Sequence, residues 1–160
     1  MPKASRPNIQ EWAEQTHQTI LGVADMLGVP HETYTHDPRS LVPALQDWIY
    51  RAPLDEFGHP DWLALHEDLL CYLADFLIQR HGAHWQVEDD SAAARGYRYV
   101  IEATGVDGRT RRLDPAGIVR KELASLPIEI VRMLAAAELG LHLTSQPDGE
   151  AQGASSRASR

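Results

Sequence analysis

Residues 61–82 read DWLALHEDLLCYLADFLIQRHG, and this stretch predicts the longest helix of the chain. At about 100° per residue, its apolar side chains occupy one broad arc of about half a turn. The arc comprises Trp62, Leu65, Leu69, Leu70, Tyr72, Leu73, Phe76 and Leu77. Glu67, Asp68 and Asp75 fall outside it, and Gly82 supplies a C-terminal cap. So wide an arc indicates a central helix that packs against more than one neighbour.

Two helices are predicted before this stretch. Residues 9–27 repeat apolar side chains at steps of three and four and end at Gly28. Residues 29–36 are interpreted as a connector, after which Asp37 and Pro38 provide an N-cap and a first-turn proline. The shorter second helix then places a set of apolar residues on one face: Leu41, Ala44, Leu45, Trp48 and Ile49.

After Gly82 the apolar period changes from helix to strand. Residues 84–87 and 97–103 alternate, and Asp107-Gly108 favours a tight hairpin turn into residues 110–113. Asp114-Pro115 and Pro127 then open two further helices. This order of helices and strands along the sequence predicts an α+β fold, in which N-terminal helices pack with a three-stranded antiparallel meander and C-terminal helices.

The length of 160 residues predicts one domain, over residues 8–143, between a short arm at 1–7 and a disordered tail at 144–160 that is poor in apolar residues. A single cysteine, Cys71, excludes an internal disulfide. No apolar run approaches the length that spans a bilayer, and the first residues lack the apolar stretch of a secretory signal. We therefore expect a cytoplasmic protein with no membrane partner.

Charge is divided along the sequence. In residues 8–90 three arginines oppose fifteen carboxylates, a balance of −12, whereas in residues 91–121 seven basic residues oppose three carboxylates, a balance of +4. The total of −8 argues against general nucleic-acid binding, which needs cations to neutralise phosphates. The positive segment predicts a basic sheet edge for protein docking, formed by Arg98, Arg109, Arg111 and Arg112. Opposite charges on one molecule leave self-association open.

Three aspartates recur at seven-residue steps on the central helix: Asp61, Asp68 and Asp75. This spacing places them along one strip of the helix surface. The strip is interpreted as a solvated acidic face, which could also bind a basic partner.

His66 is the best candidate for a catalytic or ligand-binding residue, because it falls inside the apolar arc of the central helix. Its ordinary interpretation is a core histidine hydrogen-bonded to a backbone carbonyl. A general base at this position would need a nearby acid such as Asp55 or Glu56 from the preceding loop, or Asp61. No phosphate loop, dinucleotide motif, nucleophile elbow or metal-ligand spacing is present, so we predict neither a metal nor a cofactor.

The segment from Leu69 to Trp85, followed by a hairpin and then by residues 113–121, resembles a pattern in small uncharacterised bacterial domains. In that pattern a helix leads into a strand that starts between a glycine and a tryptophan, and an Asp-Pro-capped helix follows the sheet. The resemblance covers the middle third of the chain. It implies the same fold order and assigns no activity to any residue.

These observations favour a non-catalytic protein-interaction module, such as a regulator, an assembly factor or an immunity-like protein. It would present the acidic helical strip and the basic sheet edge to a protein partner. The alternative is a small hydrolase or metal-dependent enzyme with its site at His66 and the loop from Asp55 to Asp61.

Overall fold

The computed structural model describes residues 7–144. Within this range six α-helices and three strands follow one another along the chain. The helices are α1 (Ile9–Met26), α2 (His31–His36), α3 (Val42–Arg51), α4 (His59–His81), α5 (Pro115–Leu123) and α6 (Ile130–Gly140), and the strands are β1 (His84–Asp89), β2 (Tyr97–Thr104) and β3 (Thr110–Leu113). Helices flank the antiparallel sheet on both sides in the sequence, which confirms the predicted α+β class.

Helix α4 is the centre of the molecule. A carboxylate oxygen of Asp61 accepts a hydrogen bond from the backbone N–H of Gly58 at 2.9 Å, and Gly82 ends the helix in a left-handed conformation with φ of 67°. All seven residues from 71 to 77 are buried. Since α1, α5 and α6 all pack against α4, this part of the helix is covered around its circumference and not along one arc only, whereas its first turns stay partly exposed.

The sheet is an antiparallel meander in the order β1-β2-β3. Trp85 of β1 and Leu113 of β3 both lie opposite Ile101 of β2, so these three side chains lie on the same face of the sheet. Ile101 is fully buried in the main core. In the hairpin turn Gly108 adopts φ of 77°, which is the conformation that the Asp-Gly pair predicts.

The predicted connector at residues 29–36 is wrong in its second part, because residues 31–36 form α2. This short helix has no side-chain cap, and it buries Tyr34 completely. A 3₁₀ turn over Pro38–Leu41 follows, with Asp37 as its N-cap as predicted, and α3 begins at Val42. Because α2 has only six residues, the burial of Tyr34 and not its own propensity stabilises it. The apolar spacing in so short a segment does not predict such a tertiary contact.

Apart from Pro7 and Thr144, the predicted arm and tail lie outside the described residues. Among residues 7–144, no helix combines the length and the apolar character that crossing a bilayer requires.

Candidate functional site

The three aspartates of the predicted acidic strip have three different environments. Asp61 is exposed and caps α4, and Asp68 is half-buried. Burial raises the pKa of the Asp68 carboxyl, and the neighbouring charge of Glu67 raises it further. Asp75 is only 4% exposed. The prediction that Asp75 lies on a solvated face is therefore wrong, because α4 has neighbours on the side where its sequence places this aspartate.

Asp75 joins three helices in a hydrogen-bonded network. Tyr34 of α2 donates its hydroxyl to Oδ2 of Asp75 at 2.5 Å, and Nδ1 of His17 on α1 lies 2.8 Å from Oδ1. The Tyr34 side chain is fully buried, whereas 32% of the His17 side chain is exposed. Burial, followed by the charge of Asp75, raises the pKa of the Tyr34 hydroxyl far above its ordinary value. The Tyr34 hydroxyl therefore stays protonated and donates its hydrogen bond to Asp75. The network connects α1, α2 and α4 by polar contacts within the core.

Most of the predicted basic edge is paired within the chain. Arg98 lies on the central strand and donates to Glu88 at 2.8 Å, and Arg112 donates to Glu102 at 2.8 Å. Arg111 donates to Asp107, and these hydrogen bonds hold the pKa of that carboxyl well below its usual range. Arg109 alone of the four has no ion-pair partner within residues 7–144. The role of this edge in docking stays a prediction.

His66 is separate from the acids that would make it a general base. Its Nε2 atom is buried and has no hydrogen-bond partner among the described residues, so the expected bond to a backbone carbonyl is not present there. Asp55 and Glu56 are exposed on a 3₁₀ turn over Leu54–Glu56, and within residues 7–144 no hydrogen bond or ion pair joins them to His66. In the same range no group of three or more histidine, cysteine, aspartate or glutamate side chains could hold a metal ion.

Cys71 lies in the core and is 3% exposed. Burial, followed by the charges of the nearby carboxylates Glu67, Asp68 and Asp75, raises the pKa of its thiol to about 12. Since the thiolate is the nucleophilic form, we expect Cys71 to react slowly at neutral pH.

A surface that the sequence analysis missed is centred on α3. The side-chain amide of Gln46 donates to the carbonyl of Ile128 at 2.9 Å and accepts from the backbone N–H of Ile130 at 2.8 Å. Leu45 and Ile49 are buried beneath the helix. These contacts fix one side of α3 against α6 and the core, and they leave its other side open.

The open side of α3 lines an apolar groove of about 430 Å³, which we call the α3 groove. Two of its residues are large, apolar and exposed: Met26 at 64% and Trp48 at 38%. By spacing Trp48 belongs to the same apolar set of the predicted second helix as Leu45 and Ile49, but unlike those two residues it is exposed. The groove is lined by Met26, Leu27, Ala44, Asp47, Trp48, Arg51, Ala52, Pro53 and Phe57.

The charge around the α3 groove is negative. Asp47 and Arg51 form an ion pair at 3.1 Å and cancel each other. Asp55 and Glu56, which lie in the chain between the lining residues Pro53 and Phe57, are exposed and have no ion-pair partner within residues 7–144. The chain segment that joins two lining residues of the groove therefore carries two carboxylates without an ion-pair partner among the described residues, although neither lines the groove itself.

Comparison with known proteins adds no relative: the chain matches no protein-family model, and no curated protein or solved structure is significantly similar to it.

Proposed function

We propose that this protein is a non-catalytic interaction module that binds a basic, apolar segment of a partner protein in the α3 groove. The observation that carries the proposal is the exposure of two large apolar residues, Met26 and Trp48, that line the same groove. Tryptophan and methionine are enriched at protein interfaces, and tryptophan is a frequent hot-spot residue. Large exposed apolar side chains often mark interaction sites, because their burial by a partner is favourable.

The carboxylates of Asp55 and Glu56 specify the charge of the partner. A lysine or arginine that flanks the apolar anchor of the partner would lie beside them, and opposite charges at the rim of an interface accelerate association. The net charge of −8 acts in the same direction over a longer range. Such a module would serve as a regulator, an assembly factor or an immunity-like protein. The hydrolase alternative at His66 has less support, because no acid is hydrogen-bonded to that ring among the described residues.

A peptide selection tests the proposal. Random peptides displayed on phage are selected on the full-length chain, and we expect the enriched sequences to combine large apolar residues with lysine or arginine. The variant Met26→Ser/Trp48→Ala should bind the enriched peptides roughly 30-fold or more weakly, the loss expected when a hot spot of about 2 kcal/mol is removed. The control Leu63→Ser changes a side chain that is also exposed, at 55%, but does not line the groove, and it should bind as the wild type does.

The carboxylates of Asp55 and Glu56 have their own variant. Asp55→Asn/Glu56→Gln should weaken binding of the same peptides at low salt and reduce the dependence of the affinity on ionic strength. Enrichment of acidic peptides, or peptides that bind the Met26→Ser/Trp48→Ala variant as tightly as the wild type, would contradict the proposal.

A further inference from the structure

The sulfur-containing side chains differ sharply in their exposure. Within residues 7–144 the sequence has one cysteine and two methionines. Cys71 and Met133 are 3% and 0% exposed, whereas Met26 is 64% exposed. A peroxide oxidises thioethers and thiolates, but it has to reach the sulfur atom first. Among the described residues, Met26 is therefore the sulfur-containing side chain that is open to a peroxide in the native protein.

The chemistry of the two residue types leads to the same residue. Peroxide attacks the thiolate form of cysteine, and burial keeps the pKa of the Cys71 thiol at about 12, so this thiol stays protonated at neutral pH. A thioether needs no ionisation before it reacts. Hydrogen peroxide is uncharged, so the net charge of −8 does not keep it away from Met26.

Met26 lies where oxidation changes a surface and not the core. It is the last residue of α1, it lines the α3 groove, and it does not belong to the hydrophobic core. The end of α1 is held by backbone hydrogen bonds, such as the one from the N–H of Leu27 to the carbonyl of Val23 at 3.0 Å. The helix end therefore does not depend on the Met26 side chain. Met133, by contrast, is part of the core.

We infer that Met26 is a redox-sensitive site that regulates binding in the α3 groove, an inference that rests on the function proposed above. The thioether sulfur attacks one oxygen of hydrogen peroxide, the O–O bond breaks, and the proton of the attacked oxygen passes to the leaving hydroxide. The thioether is thereby oxidised to a sulfoxide, and the peroxide is reduced to water. A sulfoxide is polar, and burial of a polar group without a hydrogen-bond partner beneath an apolar anchor is unfavourable. Methionine sulfoxide reductases reverse the oxidation.

Peptide-mapping mass spectrometry of the peroxide-treated full-length chain tests the site without any ligand. We expect Met26 to be oxidised roughly tenfold or more faster than Met133, with Cys71 unmodified and with the urea midpoint unchanged. In denaturant the two methionines should react at similar rates. Similar rates in the native protein, or a loss of stability that accompanies oxidation of Met26, would overturn the inference.

The effect on binding is measured with a peptide enriched in the selection described above. Peroxide treatment should weaken its binding roughly tenfold or more, the order expected when a polar group is buried without a partner. Treatment with methionine sulfoxide reductases specific for the two sulfoxide epimers should restore the affinity.

The matched control is Met26→Leu, which keeps an apolar side chain of similar volume. This variant should bind the peptide as the wild type does, before and after peroxide treatment. It also accounts for Met1, which lies outside the described residues. The regulation alone is refuted if the oxidised wild type keeps its affinity or if peroxide weakens binding by Met26→Leu equally. A selection that enriches no peptide would refute the proposed function and its regulation together.

Discussion

Replacing Asp75 with alanine removes the only carboxylate that joins α1, α2 and α4 in the described core. In the folded protein this group accepts from Tyr34 and pairs with His17, and it is almost fully buried. A hydrogen bond to a charged group contributes about 1.5–3 kcal/mol, and Asp75 takes part in two of them, of which the one to the partly exposed His17 contributes less. We therefore expect Asp75→Ala to lower the free energy of unfolding by about 3–5 kcal/mol, with the Tyr34 hydroxyl left buried and without its acceptor.

Urea unfolding of the full-length chain, followed by circular dichroism at pH 7, measures this loss. With a slope of about 2 kcal/mol per molar urea, the midpoint should fall by about 2 M. Should Asp75→Ala not fold, Tyr34→Phe gives a milder test, because it removes one donor and should cost about 1–2 kcal/mol. The exposed and unpaired Asp55 supplies the control: Asp55→Ala should change stability by no more than about 0.5 kcal/mol.

A small effect of Asp75→Ala on stability would contradict this prediction. If Asp75 lay on a solvated strip instead, its replacement would lower the free energy of unfolding by about 0.5 kcal/mol or less, as expected for Asp55. If Asp75→Ala unfolds at the wild-type midpoint with an unchanged slope, the network does not stabilise the core and the reasoning is wrong. In the double variant Tyr34→Phe/Asp75→Ala, the two losses should fall short of additivity by about 1 kcal/mol or more, since both changes remove the same hydrogen bond.

Two further predictions concern buried ionisable groups. Burial by itself would raise the pKa of Glu122, but hydrogen bonds from Arg132 and from the backbone N–H of Glu129 outweigh burial and hold it below its usual value. A lowered carboxyl pKa stabilises the fold above the unfolded value of about 4.3 and loses that contribution as pH falls through the folded value. Glu122→Gln should therefore cost about 1–2 kcal/mol in urea unfolding at pH 7, and the difference from the wild type should shrink below about pH 4; a loss that persists unchanged there would refute the charge argument. Cys71, buried and with its thiol pKa raised to about 12, should not react with a chromogenic disulfide reagent in the native protein and should react fully in denaturant, so rapid native labelling would show that the core opens.

The parts of the fold that the sequence predicts correctly are those encoded by neighbouring residues. Asp114 caps α5 through a hydrogen bond to the N–H of Ala116, Gly82 ends α4, and Gly108 completes the hairpin turn. Each of these signals acts within about four residues, where propensity and capping chemistry decide the conformation. The class of the fold follows from their order along the chain.

The features that the sequence does not reveal depend on residues far apart in it. Asp75 has its partners 58 and 41 positions away, and no wheel of α4 alone shows that His17 and Tyr34 cover this side of the helix. Trp48 fits the apolar face of α3 by spacing, but what covers a helix edge is decided by tertiary packing. The stacked rings of Trp12 and Tyr99 likewise come from positions separated by more than half of the described chain.

The position of α4 has a consequence for how the molecule can be divided. Its neighbours come from both ends of the described chain, α1 from the beginning and α5 and α6 from the end. A fragment that stops at Gly82 would keep α4 but lose two of these neighbours, and the remaining fragment would have no central helix to pack on. We therefore expect neither fragment to fold on its own. A split version of this protein would fold only when the two fragments associate and pack against each other.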